Sequence, residues 1–136
     1  MQPMNTIHLS IVPIYASLLA LLFIYLSVLV VKQRRLHRVA IGDGHKPSLK
    51  RAIAVQNNFA QYVPFSLLLL SLMEINHAPA YLVHTLCALL LFARCLHAYG
   101  VSQEPEPFRY RKIGILTTFG VLATAALCLL YSAWFA

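Results

Sequence analysis

The sequence predicts an all-α integral membrane protein, a bundle of four transmembrane helices forming one domain over residues 1–136. Three observations predict it. First, hydrophobic residues make up 60% of the 136-residue chain and charged residues only 11%, against roughly 45–50% and about 25% in soluble domains. The mean hydropathy is +0.69. A small soluble domain has too much surface per volume to hide that apolar area, and a disordered chain is poor in apolar residues and rich in charge. Second, the apolar residues fall into four long runs. Third, the Lys and Arg residues lie on one side of those runs.

The first span is expected over about 11–31. Ile11 to Val31 carries no charge and meets the roughly 20 residues that a helix needs to cross hydrocarbon. Residues 1–31 contain no Lys or Arg, so the positive n-region of a cleaved signal peptide is missing. The run reads as a retained helix starting near Ile7. Lys32, Arg34, Arg35, Arg38, Lys46, Lys50 and Arg51 follow, around a Gly42-Asp43-Gly44 turn. Ser48 is a candidate cap for the next helix.

The second span is expected over about 49–73, polar in its first half (Gln56, Asn57, Asn58, Gln61) and apolar from Phe65 to Met73. Pro79 is placed to open a third span over about 80–98. Gly100 to Pro107 reads as a loop, and a fourth span is expected over about 113–135.

Four spans put both long connectors on one side. All 11 Lys and Arg residues lie in or near those connectors. By the positive-inside rule both connectors face the cytoplasm and both termini lie outside. Tyr131 and Trp134 then sit at the outer interface. The net charge of +7 is therefore mostly topology, with anionic lipid headgroups as partners and no nucleic acid. Cys87, Cys95 and Cys128 fall in apolar runs and read as small buried hydrophobes.

Polar groups inside a span need partners and point to function or to helix contacts. At 100° per residue Arg51 lies only about 20° from Asn58, with Gln61 and Tyr62 on either side, so the four make one stripe about 15 Å long. Pro64 frees a carbonyl near Ala60. Gln56 and Asn57, off the stripe, read as glue between helices. The third span adds Arg94 and His97 near the connector end. His84 is deeper and reads as a hydrogen-bonded interior histidine. The fourth opens with Arg109-Tyr110-Arg111-Lys112. There is no catalytic carboxylate pair, metal-ligand cluster or phosphate loop. The chemistry left is recognition of a small carboxylate anion, with stabilisation of an anionic nucleophile.

The run Arg51-x6-Asn58-x2-Gln61-Tyr62-x-Pro64, with Phe92-Ala93-Arg94 in the third span, resembles the MAPEG family, membrane-associated proteins in eicosanoid and glutathione metabolism. Gly42-Asp43-Gly44 and Arg94-x2-His97-Ala98 resemble its small bacterial branch. The resemblance covers about residues 10–135. It implies a homotrimer in the bacterial inner membrane, with glutathione bound between subunits in a pocket open to the cytoplasm. It implies that Arg51 and Asn58 support the tripeptide, that Arg94 and His97 line the pocket, and that Gln61 and Tyr62 face the same ligand. An arginine opening the fourth helix activates the thiol in catalytic members; Arg111 matches it, with Arg109 second.

Three positions depart from the family pattern. Gln61 stands where Glu is common, Ala54 where a second Arg is common, and Lys50 where Glu is often found. The carboxylate that would hold the glutathione amine is thus missing at 61. The expected function is a glutathione-dependent transferase or peroxidase acting on a lipophilic small molecule. The alternative is a catalytically silent binding or scaffold protein. A proton-coupled transporter would want a carboxylate well inside a span, and none is there. A haem anchored by His84 and His97 is excluded, because the two lie about 20 Å apart along one helix.

Overall fold

The computed structural model describes residues 8–135. Within them the chain forms four helices, α1 (Val12–His37), α2 (Pro47–Ile75), α3 (Ala80–Ser102) and α4 (Phe108–Phe135). All four are long and apolar enough to cross a membrane. They run antiparallel in sequence, so both long connectors meet at one end. α2 and α3 form the middle of the bundle and touch each other, α1 and α4 flank them, and α1 and α4 make no contact.

The helices outrun the apolar runs at the connector end. α1 continues through Lys32 to His37 and stops where Arg38 adopts a left-handed conformation (φ 55°). α3 continues to Ser102, and α4 starts at Phe108 rather than at Ile113. An apolar run marks where hydrocarbon ends, whereas Lys, Arg and Gln are good helix formers and carry the helix into the headgroup region. At the other end, an α1 start near Ile7 is not found: His8, Leu9 and Ser10 are not helical, and Ile7 lies outside the described residues.

Two helix starts depart from the sequence reading. Ser48 does not cap α2. Pro47 occupies the first helical position and Lys46 precedes it with no side-chain cap; proline loses nothing there because its missing N–H would be an orphan anyway. The Ser48 hydroxyl instead bonds His37 Nε2 at 3.0 Å, tying α1 to α2. In α1, Ile11 supplies no cap either. Glu74, at the end of α2, does so from across the bundle. Its carboxylate accepts the backbone N–H groups of Ser10 (2.6 Å), Ile11 (2.7 Å) and Val12 (2.8 Å), and the Ser10 hydroxyl at 3.1 Å. A carboxylate at a helix N-terminus also meets the positive end of the macrodipole.

The turn between α1 and α2 has positive φ at Gly42 (74°), Gly44 (53°) and His45 (55°). The Asp43 carboxylate accepts the His45 backbone N–H at 3.0 Å, which holds its pKa below the usual carboxylate range.

The core is apolar, built on Leu19, Phe59, Leu70, Val83, Leu90 and Val121. α3 and α4 approach most closely at Gly114. A Cβ there would lie 2.7 Å from the Ala93 carbonyl oxygen and 2.8 Å from His97 Cβ. Large side chains such as Leu21, Ile24, Leu116, Leu127, Tyr131 and Trp134 face outward, where lipid is the solvent. Of the cysteines only Cys87 is buried; Cys95 is exposed and Cys128 half-buried. His84 is hydrogen-bonded, its Nδ1 3.2 Å from the Tyr15 hydroxyl, but it lies on the bundle exterior.

Replacing Glu74 by Ala strips three backbone donors of their partner. It should destabilise the protein by about 2 kcal/mol, seen as a lower unfolding temperature in detergent, with Glu74→Gln intermediate. An unchanged unfolding temperature for Glu74→Ala would remove the cap from any account of stability.

Candidate functional site

The charged and polar residues singled out in the sequence separate into an interior network and a rim. The interior network centres on Arg94, which is 1% exposed. Its Nη2 donates to Asn58 Oδ1 at 2.6 Å and lies 3.3 Å from His97 Nδ1. Its Nη1 reaches Thr118 Oγ1 at 3.5 Å, and Thr118 in turn donates to the Gly114 carbonyl at 2.8 Å. The guanidinium carbon sits 5.8 Å from the Phe59 ring centre, a cation–π distance. A guanidinium only donates, so His97 Nδ1 presents its lone pair and the ring proton sits on Nε2.

Arg94 faces no carboxylate. The three ion pairs among the described residues all lie elsewhere, and Arg94 Nε has no partner. A buried charge is costly without compensation. Here three neutral dipoles and one aromatic face supply it. His97 is 2% exposed and Thr118 0%, so within one chain only the half-buried Asn58 gives this network any surface.

The rim lies at the connector end. Arg51 Nε donates to Glu104 at 2.9 Å and its Nη1 to Glu106 at 3.2 Å. Arg111 Nη1 donates to the other oxygen of Glu106 at 3.3 Å. Guanidiniums from α2 and α4 thus hold one carboxylate between them. Arg51 and Arg111 remain partly open, their side chains 33% and 47% exposed. Beside Arg51 is a cavity of about 400 Å³ whose lining includes Leu26, Gln33, Ser48, Arg51, Val55 and Glu104. Its floor is apolar and its mouth charged. Gln33 Oε1 is buried there without a hydrogen-bond partner.

The remaining expected residues disperse. Gln61 is exposed on the outer face of α2. Tyr62 packs edge-on against Phe119, ring centres 5.4 Å apart. Arg109 is exposed and lines, with Phe108, Arg111, Lys112 and Ile115, a depression of about 380 Å³ on α4. Gln56 bonds Ser27 of α1 at 3.3 Å, as glue, while Asn57 stays exposed. The α2 stripe therefore divides, with Arg51 at the rim, Asn58 inside, Tyr62 toward α4 and Gln61 outside.

Among the participants that escape sequence reasoning are Glu104, Glu106 and Thr118. The available signal for the acids was charge. They are the acidic residues of the 100–112 connector, which otherwise carries Arg109, Arg111 and Lys112, and the antiparallel order brings that connector beside Arg51. Thr118 has no such signal, since one hydroxyl in an apolar helix usually bonds its own backbone.

Comparison with known proteins gives two findings. The model of the MAPEG family matches residues 12–131. The chain is also 37% identical, over 122 residues, to the inner membrane protein YecN of Escherichia coli strain K12, an alignment covering 89% of this chain and 92% of that protein. The YecN of Escherichia coli O6:H1 matches equally well.

The Arg94 network makes a directional prediction for stability. Asn58→Leu removes the shortest bond and leaves the guanidinium buried, at an expected cost of about 3 kcal/mol. Adding Arg94→Met, which removes the stranded charge at similar volume, should recover most of that loss. Unfolding of the single and double variants in one detergent checks this; strictly additive losses would show that the two side chains are not coupled.

Proposed function

The chain belongs to the MAPEG family, and from that we propose that it is a multi-pass inner-membrane protein that binds glutathione at its connector end and acts with it, as a transferase or peroxidase, on lipophilic electrophiles. The observation that carries this reading is the pair of guanidiniums, Arg51 and Arg111, closing on the carboxylate of Glu106 at 3.2 and 3.3 Å. Two helices here offer a carboxylate-binding fork, one arm of which, Arg51, also lines the cavity, and guanidinium forks match carboxylates in shape and charge.

The residues present fit a small acidic peptide. The cavity beside Arg51 has room for one, at about 400 Å³, and Gln33 Oε1 is a buried acceptor awaiting a donor. Glutathione, when bound, supplies the thiolate that displaces a leaving group from carbon or reduces a peroxide. A thiol of pKa about 8.5 is mostly protonated at neutral pH, so a guanidinium beside it raises the reactive fraction. Arg111 has that role here and Arg109 stands two residues away. The apolar half of the site admits a substrate from the bilayer, and Gln61 offers a neutral acceptor where a carboxylate would bind an amine more strongly.

The assembly is a homotrimer in this reading. It is supported by Asn57 and Gln61, whose amides lie on the outer face of α2, within a membrane-spanning helix. A polar group facing hydrocarbon is costly, and a neighbouring copy gives it partners. The name of the relative, inner membrane protein, supports the location. The one-sided Lys and Arg distribution supports connectors in the cytoplasm and termini outside. A silent scaffold is the competing reading, favoured by the way Arg94, Asn58 and His97 satisfy one another.

Arg111→Ala should lower turnover with a model electrophile by about tenfold or more while changing glutathione affinity much less, because it removes stabilisation of the thiolate. Gln61→Glu should tighten glutathione binding by about 1–2 kcal/mol. Glutathione at millimolar concentration that neither binds the purified protein nor shows a lowered thiol pKa would leave the scaffold reading. For orientation, a cysteine placed at Asp43 should resist an impermeant reagent applied to intact cells.

A further inference from the structure

Acidic residues are scarce in this chain. Of the four, Glu74 caps α1 at the far end and Asp43 holds the His45 amide in the α1–α2 turn. The other two, Glu104 and Glu106, both lie in the strap 103–107 between α3 and α4, and both turn to the rim. Glu106 spends its two oxygens on different helices, one on Arg51 at 3.2 Å and one on Arg111 at 3.3 Å. Glu104 accepts from Arg51 Nε at 2.9 Å. The Glu106 side chain is only 13% exposed, against 63% for Glu104.

Arg51 and Arg111 are like charges brought to one point, which is repulsive unless an anion stands between them. Glu106 is that anion. The two strap carboxylates together neutralise the two guanidiniums. A carboxylate ligand that arrives with the strap in place meets a fork of no net charge and two negative side chains. With the strap gone, it meets two unpaired guanidiniums. Such a ligand therefore enters by exchange and not by addition. We propose that the strap 103–107 is an intramolecular latch, with Glu106 standing in the fork until a ligand carboxylate displaces it.

The latch rests on the glutathione reading for the identity of its ligand and adds a regulation of that site. The strap is built for it. Pro105 and Pro107 fix their own φ and restrict the residues before them, which are Glu104 and Glu106, so the carboxylates lose little freedom on docking. Both ends are tied. The Gln103 N–H donates to the Gly100 carbonyl at 3.4 Å and the Tyr110 N–H to the Pro107 carbonyl at 3.1 Å, so the strap leaves the fork without leaving the rim. Partly exposed ion pairs are individually weak, which keeps opening within reach. The apparent affinity for a ligand is then the intrinsic one reduced by the fraction of open latch.

The sign of one effect separates a latch from an ordinary contact. Removing a side chain that holds a ligand weakens binding; removing one that competes with it strengthens binding. Calorimetry on the full-length protein in detergent reads this with two probes, glutathione and glutarate, a dicarboxylate without thiol or amine. Glu106→Gln should bind both more tightly than the parent, by about fivefold or more, the scale of two partly exposed ion pairs. Glu104→Gln should gain less, because Glu104 engages one guanidinium only. Asp43→Asn, which removes the same charge from the same end, should bind as the parent does. Elution volume and unfolding temperature establish that the variants are folded. Hydrogen exchange on the parent is a second measurement that needs no variant: glutathione should speed exchange of the Glu104 and Glu106 amides, the reverse of the protection usual on binding. Unchanged or weaker glutathione binding by Glu106→Gln, or strap amides that are unchanged or protected on binding, overturns the latch and leaves the glutathione reading standing. Glutarate that binds Glu106→Gln more tightly than the parent, with glutathione binding neither, keeps the latch and removes the glutathione reading. Binding of neither probe to any of the proteins removes both.

Discussion

A guanidinium held away from both water and carboxylates constrains this bundle more than any other group. Arg94 cannot reach the headgroup region from a position 1% exposed between helices, so its surroundings must come to it. α2 provides Asn58 and the Phe59 ring, α3 provides His97, and α4 provides Thr118. Each reaches only if the helices hold one rotation and one depth. Gly114 is part of the same constraint, because the α3–α4 approach that brings Thr118 within range leaves no room for a Cβ. Apolar packing alone would tolerate sliding along the helix axes; a network of directed bonds does not.

That interior order contrasts with the connector end, where the side chains pair through solvent-accessible carboxylates. Arg51 and Arg111 meet on Glu106 from two helices, and the loop that carries Glu106 is held there by these pairs and by the neighbouring Arg51–Glu104 pair. Partly exposed ion pairs are worth little, typically below about 1 kcal/mol. A loop held so lightly can exchange its carboxylates for those of a ligand at small cost. The division of labour is physical: the bundle interior is specified by bonds that cannot be replaced by water, the rim by bonds that can.

Most of the architecture was legible because hydrocarbon is a strict solvent. Four apolar runs and a one-sided Lys and Arg distribution suffice for four crossings, and the family match bears out the resemblance carried by Arg51, Asn58, Pro64 and Arg94. Helix ends were less legible, since Lys32 to His37 and Phe108 to Lys112 are helical without being apolar. The α2 stripe illustrates the larger gap. A helical wheel places Arg51, Asn58, Gln61 and Tyr62 together, but says nothing of which neighbour each one meets. Once the helices pack, neighbours on the wheel part company, Asn58 inward to Arg94 and Gln61 outward. The role of Glu74 was not legible at all, because nothing in local sequence marks a residue as the cap of a helix that begins more than 60 positions earlier (Glu74 bonds Val12 across a separation of 62).

That long-range cap bears on how the chain enters its membrane. The amides that lead into α1 emerge from the ribosome without an acceptor of their own, and the carboxylate that satisfies them travels at the far end of the next helix. Until α2 has crossed, α1 carries three donors that only water can serve, so its N-terminal edge is pinned at the bilayer surface. Once α2 has crossed, Glu74 and Ser10 arrive on the same side and lock together. The cap thus ties the depth of α1 to that of the far end of α2.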